Sequence, residues 1–205
     1  MADLTLTTGQ QQALDQLLAA VNAKQNCALH GPAGTGKTTL TGVLIERLLE
    51  QGLTVVVSAP THKAVGVLRD RVPPSVACKT VASLLGLKPQ AQGRWIRFVA
   101  DFKQAEKRGQ LRGVDVLIVD ESSMLSEALG SDLTKLAATA ATTLITVGDF
   151  NQLPPVDPPP EPGDEDEGGN YRGVMAKAFL SPPGGVAALT EIVRHQGPVL
   201  ELATA

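Results

Sequence analysis

The sequence predicts an α/β domain in which a parallel β-sheet is covered by helices on both faces. Four short apolar runs are typical of buried strands, and an amphipathic helical pattern follows each of the first three. Strands that alternate with helices imply parallel pairing with right-handed crossovers. A chain of 205 residues, 43% of them hydrophobic, has the size and the apolar content for one such domain with a small insertion.

The first part of the chain alternates regularly between the two kinds of pattern. Apolar residues recur at helical spacing or form continuous runs, as expected for strands that are covered on both faces. Helical patterns occupy 7–23, 37–52, 61–71 and 80–86, and strand patterns occupy 26–30 and 53–59.

The second part adds two buried strands at 114–120 and 142–148, separated by a helix around 127–138. Two segments interrupt the alternation. One is the polar segment 88–112, and the other is the loop 157–169, which is rich in proline and acidic residues and is expected to lack regular structure.

Bulk properties predict a soluble, cytoplasmic protein. Two cysteines, Cys27 and Cys78, cannot form a disulfide framework and are expected to be buried thiols. The N-terminus lacks the pattern of a signal peptide, and no run approaches the roughly 20 apolar residues that span a bilayer. Because the net charge is −3, binding to nucleic acid would require a local basic patch.

Residues 31–38 read GPAGTGKT and match the phosphate-binding pattern G-x-x-x-x-G-K-[ST] between a strand and a helix. The glycines allow backbone N–H groups to turn toward phosphate oxygens, and the N-terminus of the helix adds its positive end. We expect Lys37 to reach the β- and γ-phosphates and the Thr38 hydroxyl to bind Mg²⁺. The predicted nucleotide contacts of this loop are Gly31, Pro32, Ala33, Gly34, Thr35, Gly36, Lys37, Thr38 and Thr39.

Two carboxylates follow the strand at 114–120, where ligands of parallel sheets gather. Asp120 is expected to hold Mg²⁺ through water, and Glu121 is expected to orient the attacking water molecule. A GTPase would need the guanine-specifying pattern N-K-x-D, which the sequence lacks. The predicted nucleotide is therefore ATP.

The segment 88–112 is a candidate surface for nucleic acid. It carries seven cationic residues against two acidic ones, a local charge of +5 in an acidic protein. Arg94 and Arg97 flank the chain's single tryptophan, Trp95, and Phe98 follows. Aromatic residues among cations suit stacking on bases and contact with phosphates. The same residues are also compatible with a small apolar plug that anchors a loop.

Taken in order, six stretches resemble the motifs of superfamily 1 DNA helicases of the RecD/Dda type, the 5′→3′ branch. From the first stretch to the last, the resemblance spans nearly all of the chain. LTTGQQQAL is similar to the Q-motif, GPAGTGKTT to motif I, APTHKAVGVL to motif Ia, DESS to motif II, GDFNQLPPV to motif III and LTEIVRH to motif IV. The chain departs from the usual motifs at Ala82, where the family has histidine, and at His195, where it has glutamine.

The resemblance implies a RecA-like P-loop NTPase domain and a role for each motif. Gln10 would contact adenine, Gln152 would sense the γ-phosphate, and Arg194 would clamp it. The stretch Pro60, Thr61, His62 and Lys63 would grip single-stranded DNA, and Trp95 or Phe98 would stack on a base or wedge at the fork. From the residues alone, residues 60–63 also fit a capped helix with a solvated lysine. Gln152 also fits a polar turn before Pro-Pro, and Arg194 a surface ion pair.

The resemblance also implies a division of the chain. Segments 1–87 and 113–205 would form the two parts of the first RecA-like domain, and 88–112 would be the small 1B subdomain. A second RecA-like domain is absent from this sequence, so we expect no unwinding by these 205 residues alone.

The expected function is an ATP-binding motor domain of a DNA helicase, with ATP and Mg²⁺ as its cofactors. It would act as a monomer on single-stranded DNA and at a duplex fork, without a membrane partner. The alternatives are a module that binds nucleotide and DNA without turnover, and a P-loop ATPase that does not act on nucleic acid.

Overall fold

The computed structural model describes residues 6–92, 95–101, 105, 108–149 and 176–193, and within these a six-stranded parallel sheet forms the centre of the domain. Its strands are β1 (Cys27–His30), β2 (Val55–Ala59), β3 (Ala77–Thr80), β6 (Val116–Val119), β7 (Thr143–Gly148) and β8 (Val186–Ala188). Their order across the sheet is β3-β2-β6-β7-β1-β8. The predicted fold class is confirmed, and the four predicted strands occupy the centre of the sheet.

The edge strands β3 and β8 were not expected from the sequence. Both are short, and most residues of β3 are partly exposed, so neither shows the continuous apolar run of a central strand. Cys78 lies on β3 and is only half-buried, which corrects the expectation that both thiols are buried. Cys27 is fully buried on β1, and burial raises the pKa of its thiol to about 12.

Helices cover both faces of the sheet; five lie near their predicted positions, and the short helix at Lys177–Leu180 was not predicted. Thr7 and Gln10 form a capping box at the first helix, because each side chain accepts a hydrogen bond from the backbone N–H of the other residue. The helices are α1 (Thr8–Asn22), α2 (Lys37–Glu50), α3 (His62–Arg69), α4 (Val81–Leu85), α5 (Glu127–Thr139) and α6 (Lys177–Leu180), and a 3₁₀ turn spans Ser122–Met124.

Successive residues of a central strand pack alternately into two hydrophobic cores, one on each face of the sheet. On β6, Ile118 packs into the core beneath α1, α2 and α3, whereas Leu117 and Val119 pack into the core beneath α4, α5 and α6. This alternation explains why the central strands read as continuous apolar runs. In the described part of the chain, no helix is long and apolar enough to cross a membrane.

The segment after α4 forms an antiparallel hairpin of β4 (Lys88–Gln92) and β5 (Trp95–Val99). Its base is held by an ion pair of 2.7 Å between Lys88 Nζ and Asp101 Oδ2. The Asp101 N–H also donates to the Leu85 carbonyl at 3.1 Å, which fixes the hairpin to the end of α4. The acidic loop 157–169 lies outside the described residues.

Gly130 permits α6 to pack against α5. A Cβ atom at this position would collide with Ala176 Cβ and lie 3.1 Å from Phe179 Cζ. We predict that Gly130→Ala lowers the free energy of unfolding by about 1–3 kcal/mol, as overpacking does in cores. Denaturant titration measures the change. Gly42→Ala is the matched control, since nothing lies within 4 Å of its Cβ, and it should stabilise α2 by roughly 0.5–1 kcal/mol. Equal effects of the two substitutions would contradict the packing.

Candidate nucleotide-binding site

The phosphate loop connects β1 to α2. Gly34 and Gly36 have φ angles of 88° and 83°, in the left-handed region that favours glycine. Gly36 is also the N-cap of α2, so the loop delivers the positive end of a 14-residue helix. A backbone of this shape directly before a helix N-terminus is suited to hold phosphate groups.

The loop packs tightly against the segment that follows β8. A Cβ atom on Gly31 would lie 2.7 Å from the Leu189 carbonyl oxygen and 2.8 Å from Thr35 Oγ1. The N–H of Leu189 donates to the His30 carbonyl at 2.8 Å, and the N–H of Val193 donates to the Gly34 carbonyl at 2.9 Å. The stretch that resembles motif IV therefore forms one wall of the loop. Arg194, which follows it, lies outside the described residues.

Gln10 braces the loop from the opposite side. Its side chain is buried, and its Nε2 donates to the Thr35 carbonyl at 3.2 Å, while its Oε1 accepts from the Thr7 N–H at 3.1 Å. A Cβ atom on Gly36 would collide with the same Nε2. The amide keeps one N–H and one lone pair for a ligand. The predicted adenine contact stays a prediction, whereas the bracing role was not foreseen.

The side chain of Lys37 folds back over the phosphate loop. Its Nζ donates to the Gly31 carbonyl at 2.6 Å and to the Pro32 carbonyl at 2.9 Å. Thr35 Oγ1 donates to the same Pro32 carbonyl at 3.0 Å. The neighbouring Thr38 is half-buried in the first turn of α2. The ammonium group is thus held at the loop, within reach of any phosphate bound there.

The two predicted carboxylates lie at the end of β6. Asp120 Oδ1 accepts from the Glu121 N–H at 2.9 Å. Desolvation raises the pKa of Asp120, while that hydrogen bond and the charges of Lys37 and Arg71 lower it. Desolvation also raises the pKa of Glu121, the charges of Asp120 and Asp149 raise it further, and Lys37 lowers it. The charge of Lys37 therefore acts on both carboxylates.

Asp149 is a third carboxylate at this edge, and our reading of the sequence missed it as a site residue. It follows β7 directly and is 8% exposed. Val119 pairs with Thr146, so the ends of β6 and β7 lie side by side. An acidic residue directly after a buried strand was the signal that could have identified it. Gln152, the residue predicted from the same motif, lies outside the described residues.

Within the described part of the chain, no group of three or more His, Cys, Asp or Glu side chains is arranged to hold a metal ion by itself. A pocket of about 460 Å³ lies between α1 and α2, and the loop residues 31–38 do not line it. Its lining residues are Leu6, Thr7, Thr8, Gln11, Gln12, Leu14, Val43 and Arg47.

The predicted DNA contacts of motif Ia lie at the N-terminus of α3. Thr61 is the N-cap, and its Oγ1 accepts from the Ala64 N–H at 3.1 Å. His62 and Lys63 are exposed in the first turn, next to Pro60. Because β2 is parallel to β1, this helix begins at the same edge of the sheet as the phosphate loop.

The predicted DNA contacts of the insertion are described only in part. Trp95, Arg97 and Phe98 belong to β5, and only their backbone is described. Arg94 lies outside the described residues.

Comparison with known proteins assigns this geometry to a family. A family described as an AAA domain matches residues 5–205. The chain is 31% identical over 201 residues to the ATP-dependent DNA helicase dda of Enterobacteria phage T4, covering 97% of this chain and 42% of that protein. It is 35% identical over 152 residues to the ATP-dependent RecD2 DNA helicase of Deinococcus radiodurans, covering 74% and 19%.

Among solved structures, the Pif1 helicase from Candida albicans superposes with a TM-score of 0.67 at 22% identity. This match covers 98% of the chain and 43% of the Pif1 chain, and it supports the fold. The chain thus spans less than half the length of each of these three relatives. With its phosphate loop and carboxylate pair, the chain belongs to the AAA-domain family, and it is similar in sequence to the helicases dda and RecD2 and in fold to Pif1.

Proposed function

We propose that this chain is the ATP-driven motor domain of a DNA helicase. One observation carries the proposal: Lys37 in the phosphate loop and the carboxylates Asp120 and Glu121 share one edge of the sheet, and the charge of Lys37 acts on both carboxylates. The relatives dda and RecD2 are named ATP-dependent DNA helicases, which supports ATP as the nucleotide and DNA as the nucleic acid that this domain binds.

Lys37 is the residue that exchanges partners when ATP binds. Its ammonium group would leave the carbonyls of Gly31 and Pro32 and contact the β- and γ-phosphate oxygens. The loop keeps its shape during this exchange, because Gln10 and Val193 hold it through the carbonyls of Thr35 and Gly34.

The donor set fits magnesium. Thr38 offers a hydroxyl and Asp120 a carboxylate, which are the oxygen ligands that Mg²⁺ prefers alongside water and phosphate. When bound, Mg²⁺ neutralises charge on the β- and γ-phosphate oxygens.

We propose Glu121 as the base. Its raised pKa brings the carboxylate closer to the pH at which it exchanges a proton with the attacking water. Gln152 and Arg194 are proposed as the γ-phosphate sensor and clamp. The bond from the Val193 N–H to the Gly34 carbonyl supports the second role, since Arg194 follows Val193 in the chain.

We place single-stranded DNA at the N-terminus of α3, where Lys63 is exposed, and the duplex fork at the β4–β5 hairpin. The hairpin begins at Lys88, which supports the division of the chain into 1–87, 88–112 and 113–205. The protein is proposed to act as a monomer.

Hydrolysis of ATP that is stimulated by single-stranded DNA tests this function. We predict that an oligonucleotide raises the hydrolysis rate of the 205-residue chain. Lys37→Ala should weaken ATP binding by at least about tenfold, or about 1.4 kcal/mol, because the cation at the phosphates is lost. Lys63→Ala should raise the DNA concentration needed for half-stimulation.

Lys135→Ala is the control for both variants, since Lys135 is exposed on α5 and distant in sequence from both Lys37 and Lys63. Binding of ATP without any hydrolysis would favour a binding module. Hydrolysis that is indifferent to DNA would favour a P-loop ATPase that does not act on nucleic acid.

Asp120 should reduce the stability of the chain when metal and nucleotide are removed with EDTA. Desolvation raises its folded pKa above the ordinary value of 3.8, so the folded chain holds this proton more tightly than the unfolded chain does. Stability is therefore lost as pH rises through the interval between these two pKa values. We predict that Asp120→Asn raises the free energy of unfolding at neutral pH, and that the gain disappears at acidic pH.

Urea denaturation at several pH values measures this gain. Glu46→Gln, at an exposed carboxylate on α2, should change stability by less than about 0.5 kcal/mol. Desolvation would be refuted as the cause if Asp120→Asn still raised the free energy of unfolding at pH values below the ordinary pKa of a carboxyl group. No gain at neutral pH would refute it as well.

A further inference from the structure

Glu121 has an unusual backbone conformation. Its φ of 53° and ψ of 33° place it in the left-handed region, which a residue with a Cβ atom adopts only at a cost. Such conformations persist where surrounding contacts impose them. The direction of the Glu121 carboxylate depends on this conformation, so the contacts that impose it also control the proposed base.

The turn around Glu121 is held by local hydrogen bonds. The Glu121 N–H donates to Asp120 Oδ1, and the Glu121 carbonyl accepts from the Met124 N–H at 3.0 Å. The Leu125 N–H donates to the Ser122 carbonyl at 3.1 Å. These bonds all lie within residues 120–125, so they shape the turn without fixing it to the sheet.

Ser122 adds a side-chain connection to β7, beyond the bond from the Asp120 N–H to the Ser58 carbonyl on β2 at 2.9 Å. It is 1% exposed, and its Oγ donates to the Val147 carbonyl at 2.9 Å. The Gly148 carbonyl accepts a hydrogen bond from the Gly31 N–H, so it points toward β1. Because successive carbonyls of a strand point to opposite sides, the Val147 carbonyl points toward β6. The last paired residue of β6 is Val119. The Ser122 hydroxyl thus donates to the Val147 carbonyl at a position where β6 no longer supplies a backbone N–H.

We propose that Ser122 is a positioning residue for Glu121. Its bond to Val147 pins the turn, keeps Glu121 in the left-handed conformation and aims the carboxylate at the nucleotide; this inference rests on the proposed function. The same bond joins the turn to β7, which ends at Gly148 and is followed directly by Asp149.

Ser122→Ala removes the hydroxyl without adding volume and leaves the Val147 carbonyl without its donor. Ser58→Ala is the matched control: Ser58 is fully buried on β2, the other neighbour of β6, and its hydroxyl has no hydrogen-bond partner within the described residues. Both variants delete one buried oxygen, but only Ser122→Ala breaks a bond to the turn.

Single-turnover hydrolysis and nucleotide affinity, measured on the 205-residue chain, separate positioning from general damage. For Ser122→Ala we expect the hydrolysis rate to fall roughly tenfold or more, toward the effect of losing a positioned base. The dissociation constant for ATP should stay within about twofold, since the loop contacts of Lys37 are retained. Ser58→Ala should change neither quantity. A Ser122→Ala rate equal to that of Ser58→Ala, or a loss confined to affinity, would overturn the proposal.

Combination with Glu121→Gln tests the route of the effect. If Ser122 acts through Glu121, adding Ser122→Ala to Glu121→Gln causes no further loss of rate. An equal fold-loss in both backgrounds would show that Ser122 acts on catalysis by another route and would overturn the proposal.

A measurement without nucleotide separates this inference from the proposed function. Amide hydrogen exchange at Met124 and Leu125 should become faster in Ser122→Ala and not in Ser58→Ala, because the turn loses its attachment to β7. Unchanged exchange would overturn the positioning role even if the chain hydrolyses ATP. Faster exchange in a chain that binds no ATP would count against the proposed function alone.

Discussion

The parallel pairing of β1, β2, β6 and β7 is the constraint on which the rest of the structure depends. Parallel strands end at the same edge of a sheet, so the segments after these four strands meet there. The phosphate loop follows β1, the proposed base and metal ligand follow β6, Asp149 follows β7, and the helix α3, proposed to contact DNA, follows β2. A change in strand order would separate these groups even if every motif were retained.

The second requirement is a phosphate loop that contacts from other parts of the chain hold in shape. Gln10 holds the Thr35 carbonyl from the α1 side, and Val193 holds the Gly34 carbonyl from the β8 side. Lys37 is already drawn to the loop by the carbonyls of Gly31 and Pro32. Both supports come from stretches that resemble motifs, the Q-motif and motif IV.

The centre of the fold could be predicted from the sequence because its signals are local and strong. Long apolar runs marked the central strands, and the glycine pattern marked the loop. The edge strands β3 and β8 could not be predicted, since both are partly exposed and neither forms a continuous buried apolar run. The bracing role of Gln10 depends on Thr35, which is 25 residues away, and spacing within a motif carries no such information. Asp149 was not predicted, since a single acidic residue after a strand also fits an exposed turn, and only the structure shows that it is buried.

A structure of the chain with a non-hydrolysable ATP analogue and Mg²⁺ would test the proposed nucleotide site. We expect the β- and γ-phosphates to lie in the loop at residues 31–38, with Lys37 Nζ moved from the Gly31 and Pro32 carbonyls to phosphate oxygens. We also expect Glu121 to keep its left-handed conformation and to face the γ-phosphate. Phosphates bound elsewhere, such as in the pocket between α1 and α2, or a Lys37 that keeps its carbonyl partners, would contradict the proposed site.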